Sequence, residues 1–325
     1  MLKCNWIMKV FAVGFNLYKQ FDKAQTVLEE FTEVYTGIGI KDICMSYSLS
    51  FLQISDNVFQ IHPKNVTKEI DSGILKLCCN NDRLLIIDQC HKVHKIDFKD
   101  LDRDLVPHKE IPMGSEEIKN GTCGSKLVVL YTNTGNLFNT FEKLHFQIPD
   151  IIDIQCGREH CLILDSKGTV YTFGQGSRGQ LGHTTLDDER EPLQVEALAG
   201  LNIIQISAGG WHSCAVTKDG DLYTWGWNGS GQLGICDKTE NQHQVIATPT
   251  PAEFGLTVLK VACGSRHTII LLDNNQLYGC GWNKYKQIKY CEQESFSTFL
   301  KMRSFEDNEI IDIKCGPWNS VVLCA

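Results

Sequence analysis

Four short segments repeat one pattern: Cys156-Gly-Arg-Glu-His160, Gly209-Gly-Trp-His212, Cys263-Gly-Ser-Arg-His267 and Cys315-Gly-Pro-Trp-Asn319. Each segment opens a short apolar stretch. The leading glycines follow one another at steps of 52, 55 and 52 residues, and they are Gly157, Gly209, Gly264 and Gly316. A nearly fixed period of this size is typical of stacked supersecondary units, so the repeat decides the fold.

A second motif follows the first, with its glycine seventeen residues after the first glycine. Its copies are Val170-Tyr-Thr-Phe-Gly174, Leu222-Tyr-Thr-Trp-Gly226 and Leu277-Tyr-Gly-Cys-Gly281. Turn-forming residues such as Lys218-Asp-Gly220 separate the two motifs, and apolar and β-branched residues flank them. Each unit is therefore predicted as a strand, a tight turn, a second strand and a glycine-containing loop.

The loop Gly174-Gln-Gly176-Ser-Arg-Gly179 has the spacing of a dinucleotide-binding fingerprint. That fingerprint requires a helix at the third glycine, whose positive end holds the pyrophosphate. Here no helical periodicity follows, and the sister loops have Asn228 and Asn283 in place of the middle glycine. We therefore expect a turn at this loop and no nucleotide cofactor.

The two ends of the chain hold complementary parts of one unit. Gly316 to Ala325 supplies a first strand without its hairpin partner, whereas Val10-Phe-Ala-Val-Gly14 has the register of the second motif. A closed β-propeller uses such a split unit to join its first and last blades, which removes unpaired sheet edges. The sequence predicts that strands from the two ends pair with each other.

Three weaker copies occupy the stretch between residues 40 and 150, with Ser46, Asn80 and Gly124 at the position of the leading glycine. Together with the four clear copies they make seven units. The prediction is an all-β, seven-bladed propeller formed by residues 1–325 as a single domain, with six blades as the alternative. Residues 99–117 are charged and residues 235–250 are polar and irregular, so both are predicted as exposed loop insertions.

These motifs resemble the regulator of chromosome condensation repeat family, whose units carry a cysteine or alanine, a glycine, two variable residues and a histidine, followed by an aromatic-Trp-Gly run. The match is strong over residues 150–290, moderate at 1–25 and 305–325, and weak between them. The segments Trp225-Gly-Trp-Asn228 and Cys315-Gly-Pro-Trp-Asn319 look like those of family members that associate with a Jumonji-domain oxygenase. The resemblance implies a nuclear or chromosomal adaptor linked to histone methylation and chromosome segregation.

Composition limits the classes of partner. The net charge is −8, which argues against direct wrapping of DNA, because that mode of binding needs a basic surface. The fifteen cysteines include no Cys-x-x-Cys pair, and Ala208 replaces a cysteine at the repeating position, so we expect reduced thiols. No stretch approaches the ~20 apolar residues of a membrane span.

The repeat histidines His160, His212 and His267 occupy one strand position. A residue type that recurs in several blades is expected to be structural, here through hydrogen bonds between blades. The repeat glycines are expected to be structural as well; they are Gly14, Gly157, Gly174, Gly209, Gly226, Gly264, Gly281 and Gly316. Cys156, His160 and Cys161 lack the spacing of a metal site, so we predict no catalytic residue, metal or cofactor.

The residue before the repeat histidine varies from blade to blade, unlike the positions around it. Such variation marks positions that packing does not fix, and these positions are predicted to lie on one face. Trp and Arg most often anchor interfaces. The candidate partner-binding residues are Trp211, Arg266, Trp318, Glu159, Lys126 and Asp82.

The sequence thus predicts a monomeric, non-enzymatic interaction scaffold. We expect a location in the nucleus and on chromosomes, with the cytoplasm as a second location, and a Jumonji-type oxygenase and chromatin proteins as partners. The first alternative is a guanine-nucleotide exchange factor for a small GTPase such as Ran. The second alternative is a cytoplasmic scaffold of the cytoskeleton or the ubiquitin pathway.

Overall fold

Twenty-eight strands form seven four-stranded antiparallel sheets in the computed structural model, which describes residues 7–101, 109–235, 244–252, 255–305 and 308–325. The only helices among these residues are two single-turn 3₁₀ helices, Phe98–Asp100 and Glu196–Leu198. Neither is long or apolar enough to cross a membrane. The predicted all-β, seven-bladed propeller is confirmed.

Most of the strands are short. The first fourteen are β1 (Ile7–Phe15), β2 (Val27–Ile38), β3 (Asp42–Met45), β4 (Ser50–Gln53), β5 (Val58–His62), β6 (Val66–Glu69), β7 (Ile74–Cys79), β8 (Arg83–Asp88), β9 (Val93–Asp97), β10 (Lys109–Ile111), β11 (Ile118–Cys123), β12 (Val128–Thr132), β13 (Asn136–Asn139) and β14 (Glu142–Gln147). The others are β15 (Ile151–Cys156), β16 (His160–Asp165), β17 (Val170–Gly174), β18 (Glu189–Gln194), β19 (Ile203–Ala208), β20 (His212–Thr217), β21 (Leu222–Trp227), β22 (Val245–Pro251), β23 (Val258–Cys263), β24 (His267–Leu272), β25 (Leu277–Trp282), β26 (Ser295–Lys301), β27 (Ile310–Cys315) and β28 (Asn319–Cys324).

Each sheet is one blade, and its strands are called A to D from the ring axis outward. Blades 1 to 6 are β3–β6, β7–β10, β11–β14, β15–β18, β19–β22 and β23–β26. The B strands β16, β20, β24 and β28 are buried at every position, because neighbouring blades cover both of their faces. Apolar residues of adjacent blades pack together, as Leu162 and Leu164 of blade 4 do with Ile203 and Ile206 of blade 5.

Blade 7 closes the ring from both ends of the chain, in the order β2-β1-β28-β27. Strand β1 pairs antiparallel with β28 from Lys9 opposite Cys324 to Gly14 opposite Asn319. The predicted pairing of N-terminal and C-terminal strands is therefore confirmed. One detail differs: the C-terminal end supplies two strands, because Ile310–Cys315, which precedes the repeat glycine, is itself a strand.

The outermost strands correct the sequence prediction. Lys109–Ile111 lies within the predicted loop 99–117 and pairs with β9, and Val245–Pro251 begins within the predicted loop 235–250 and pairs with β21. A D strand pairs along one edge only and faces solvent, so it has a polar composition that resembles a loop. Residues 102–108 and 236–243 of these two segments lie outside the described residues.

Candidate interaction face

One end of the propeller collects two connections from each blade. In a four-stranded antiparallel sheet, the A–B turn and the C–D loop lie at the same end of the strands. The variable positions lie in the A–B turns, and the second motif runs into the C–D loops. We call this end the turn face.

The repeat histidines lie beneath the turn face and bind the next blade. His160 Nε2 lies 3.0 Å from Ser213 Oγ, and that hydroxyl donates to the Gln180 carbonyl at 2.9 Å. The same relay recurs twice, through His212, Thr268 and Gln232 and through His267, Ser320 and Gln287. Because each hydroxyl donates to a carbonyl, it accepts from the imidazole, so Nε2 of each of the three histidines carries a proton.

Burial disfavours the charged imidazole and lowers the pKa of both His160 and His267 to about 3. Both histidines are fully buried. An imidazole that is buried, neutral and bonded to the next blade is unsuited to exchange protons with a substrate. The relay is a structural element.

The C-strand glycines, Gly14, Gly174, Gly226 and Gly281, have φ between 99° and 109°. A Cβ at any of them would lie 2.4 to 2.7 Å from the carbonyl oxygen of the residue before the repeat histidine or Asn319. The A–B glycines Gly157, Gly209 and Gly264 face the histidine ring of their own blade at 2.1 to 2.2 Å, and Gly316 faces Asn319. Packing therefore excludes any side chain at these eight positions.

Indole rings meet on the turn face over blades 5 to 7. Trp211 lies edge-on to Trp227, with ring centroids 5.8 Å apart, and Trp282 lies 5.6 Å from Trp318. Trp318 also contacts Tyr285, Phe15 and Tyr47 at 5.4, 5.3 and 4.6 Å. Tyr47 belongs to blade 1, so the aromatic contacts extend from blade 7 to blade 1. All four indoles are half-buried and present part of their surface to solvent.

Arginine side chains alternate with these indoles. The guanidinium carbons of Arg158 and Arg178 both lie 4.9 Å from the Trp211 ring centroid. Arg178 also lies 5.6 Å from Trp227, and Arg266 lies 5.2 Å from Trp227 and 5.9 Å from Trp282. These are cation–π distances. We call the set the aromatic–arginine surface; it comprises Arg158, Trp211, Arg178, Trp227, Arg266, Trp282, Tyr285, Trp318 and Tyr47, the last three of which contact the buried Phe15.

The structure separates the six candidate partner-binding residues into two groups. Trp211, Arg266 and Trp318 belong to the aromatic–arginine surface. Glu159 instead forms an ion pair with Lys126 at 2.5 Å, and Asp82 is exposed in the A–B turn of blade 2. All six lie on the turn face, and Trp227 and Trp282 link Trp211, Arg266 and Trp318 to one another.

Sequence reasoning missed Arg158 and Arg178. Both stand inside the repeat motifs, two residues before His160 and two residues before Gln180, at positions that differ among the copies. Applying the argument from variation to every position of both motifs would have found them.

One group of soft ligands lies below the turn face, between blades 5 and 6. One donor atom each of His212, Cys214 and Cys263 lie within 4.8 Å of one another, and the two sulfurs are 3.4 Å apart. Burial raises the pKa of the Cys214 thiol, which disfavours the thiolate that a metal ion would need. A structural zinc site takes four ligands, and His212 Nε2 already bonds to Thr268. We assign no metal to this group.

Comparison with known proteins identifies the repeats. The profile of the regulator of chromosome condensation (RCC1) repeat matches residues 167–216 and 219–271, and a second RCC1 repeat profile matches residues 151–180, 203–232 and 258–287. RCC1 domain-containing protein 1 of Homo sapiens is 36% identical over 206 residues, which cover 52% of this chain and 55% of that protein. The ultraviolet-B receptor UVR8 of Arabidopsis thaliana is 37% identical over 224 residues, which cover 63% of this chain and 50% of the receptor.

The chain thus spans about half the length of these curated relatives. Among solved structures, Prp20p from Saccharomyces cerevisiae, which binds Gsp1p and histones, superposes with a TM-score of 0.80 at 15% identity. The match covers 98% of this chain and 92% of Prp20p, and at this identity it shows the fold alone. The chain therefore carries RCC1 repeats, folds as a seven-bladed β-propeller and is homologous to RCC1 domain-containing protein 1.

Proposed function

We propose that this protein is a non-enzymatic interaction scaffold that binds a protein partner through the aromatic–arginine surface. The observation that carries the proposal is the continuous set, across blades 4 to 7, of half-buried indoles and the arginine side chains that contact them. Trp, Tyr and Arg dominate interface energetics, because they bury large areas and keep a polar group for pairing. The repeat histidines, in contrast, are committed to packing between blades.

The partner is proposed to be a Jumonji-type oxygenase, and the role is that of a nuclear, chromatin-associated adaptor linked to histone methylation and chromosome segregation. Homology to RCC1 domain-containing protein 1 and the motifs shared with adaptor members of the family support this role. The net charge of −8 supports attachment to chromatin through proteins rather than through DNA phosphates.

Calorimetry with purified proteins tests this function. We expect the wild-type chain to bind a recombinant Jumonji-domain oxygenase and the Trp211→Ala and Trp318→Ala variants to bind about tenfold or more weakly, as for interface hot spots. Lys218→Gln is the control, because Lys218 is exposed in the B–C turn of blade 5, at the end of the blade opposite the turn face. Equal affinity of all four proteins would remove this surface from the interface.

The exchange-factor alternative has its own test. Similarity of fold to Prp20p, which binds Gsp1p, motivates measuring nucleotide release from a panel of small GTPases. We expect no acceleration by this chain, and acceleration by orders of magnitude would replace the scaffold proposal.

The cytoplasmic scaffold alternative predicts cytoskeletal or ubiquitin-pathway neighbours in proximity labelling, whereas our proposal predicts chromatin proteins.

A further inference from the structure

We infer that the aromatic–arginine surface binds an acidic protein segment, whose carboxylates pair with Arg158, Arg178 and Arg266. The inference rests on the proposed function and adds the chemistry of the partner. It starts from the state of the three guanidiniums in the free protein.

None of these guanidiniums has a carboxylate within ion-pair distance or a hydrogen-bond acceptor among the described residues. Lysines behave differently. On the same face Lys126 pairs with Glu159, and elsewhere Lys260 pairs with Asp312. A chain with 39 acidic and 31 basic residues has carboxylates to spare. Three unpaired arginines on one face therefore form a local positive patch on an acidic protein, and that patch is complementary to negative charge.

Stacking prepares these arginines for carboxylates. A guanidinium that lies over an indole is held by its flat face, while its N–H groups point outward in the plane and can bind a carboxylate through two hydrogen bonds. Holding the side chain in advance reduces the entropy lost on binding. Arg158 and Arg178 each lie 4.9 Å from the Trp211 ring centroid, so one indole holds two guanidiniums.

Protein fits this surface better than nucleic acid. Single-stranded nucleic acid binds where aromatic faces are free to stack on bases, but here guanidiniums lie over Trp211, Trp227 and Trp282. The net charge of −8 also repels a long polyanion. Beside the arginines, Tyr285, Trp318 and Tyr47 offer apolar area for side chains that flank the carboxylates.

A phage library of random dodecapeptides, selected on the purified protein, tests the inference. We expect enriched peptides to combine acidic with apolar or aromatic residues. In fluorescence anisotropy, the affinity of a selected peptide should fall about tenfold or more for the triple variant Arg158→Gln/Arg178→Gln/Arg266→Gln. It should fall equally when Gln replaces each Glu of the peptide on wild-type protein, a change that leaves the fold untouched. Lys218→Gln, in the exposed B–C turn of blade 5 at the end of the blade opposite the turn face, should bind as wild type does.

Enrichment of peptides without acidic residues, or enrichment of none, would overturn the inference, as would unchanged affinity of the triple variant or tighter binding of an oligodeoxythymidylate than of any selected peptide. Failure here is distinguishable from failure of the proposed function. If Trp211→Ala abolishes binding of the oxygenase while the triple arginine variant does not, the scaffold proposal stands and the acidic partner does not.

Discussion

At the scale of the residue, the repeat histidine shows how recurrence and variation carry different information. His160 and His267 are fully buried and donate to a hydroxyl of the next blade, so every blade that uses this relay needs the same residue type. The neighbouring position, occupied by Trp211 or Arg266, projects from the turn and escapes that requirement. Recurrence thus marks packing between blades, and variation marks the surface.

The pKa of His160, which burial lowers to about 3, makes stability depend on pH. The native imidazole stays neutral, whereas the unfolded chain takes up a proton below pH 6.5, so stability falls as the pH drops from about 6.5 toward 3. The His160→Asn variant carries the residue type found at this position in blade 7. Between pH 7 and pH 5, we expect its unfolding free energy to fall by about 2 kcal/mol less than that of wild type.

Urea denaturation of both proteins at the two pH values measures this difference directly. Contributions from carboxylates are common to both proteins and cancel. The His267→Asn variant should behave in the same way, because His267 has the same burial and the same kind of partner. An identical loss of stability in wild type and both variants would show that the imidazoles titrate freely.

At the scale of the element, the C strand of each blade ends at a glycine for steric reasons. Gly226 has a φ of 104°, and a Cβ there would lie 2.6 Å from the Trp211 carbonyl oxygen. This close approach lets the C–D loop pass over the A–B turn and brings Trp227 beside Trp211. The glycine therefore shapes the interaction face as well as the blade.

Comparing Gly226→Ala with Gly200→Ala separates crowding from backbone strain. Both glycines have positive φ, but no atom lies within 4 Å of a Cβ added at Gly200. We expect Gly200→Ala to cost about 1 kcal/mol of unfolding free energy and Gly226→Ala about 2 to 4 kcal/mol more, because its Cβ meets backbone that cannot move aside. Denaturant unfolding measures both. An equal loss of unfolding free energy in the two variants would mean that the backbone around Gly226 shifts to accommodate the added Cβ.

At the scale of the whole molecule, blade 7 decides whether the ring closes. Strand β1 is hydrogen-bonded on both sides, to β2 and to β28, and buries Val10, Phe11, Ala12 and Val13. Without it, blades 1 and 6 would lose much of the packing provided by the blade between them, and β28 would present an open edge.

We expect a chain that lacks residues 1–14 to lose cooperative thermal unfolding and to aggregate. Each large buried side chain of β1 contributes roughly 1.5 to 3 kcal/mol, and their sum approaches the ~5 to 15 kcal/mol stability of a typical domain. A chain that lacks only residues 1–6 is the control, because it keeps all of β1. Calorimetry with light scattering measures both deletions. If the chain that lacks residues 1–14 melts like the full chain, β1 does not stabilise the closed ring.

The sequence by itself determined the repeat and the pairing of the two ends, and it favoured seven blades over six. It did so because the same packing problem recurs at each blade boundary and selects the same residue types, as at Gly157, Gly209 and Gly264. Polar D strands such as Lys109–Ile111 were not predicted. A D strand pairs along one edge only and faces solvent, so packing does not select the same residue types in every blade.

Only the tertiary structure decided which variable residues meet. Trp211, Arg266 and Trp318 are more than fifty residues apart in sequence, and the curvature of the ring places them on one surface with Arg158 and Arg178. The physical reason is that contacts across blades depend on loop direction and side-chain reach, which local sequence patterns do not encode.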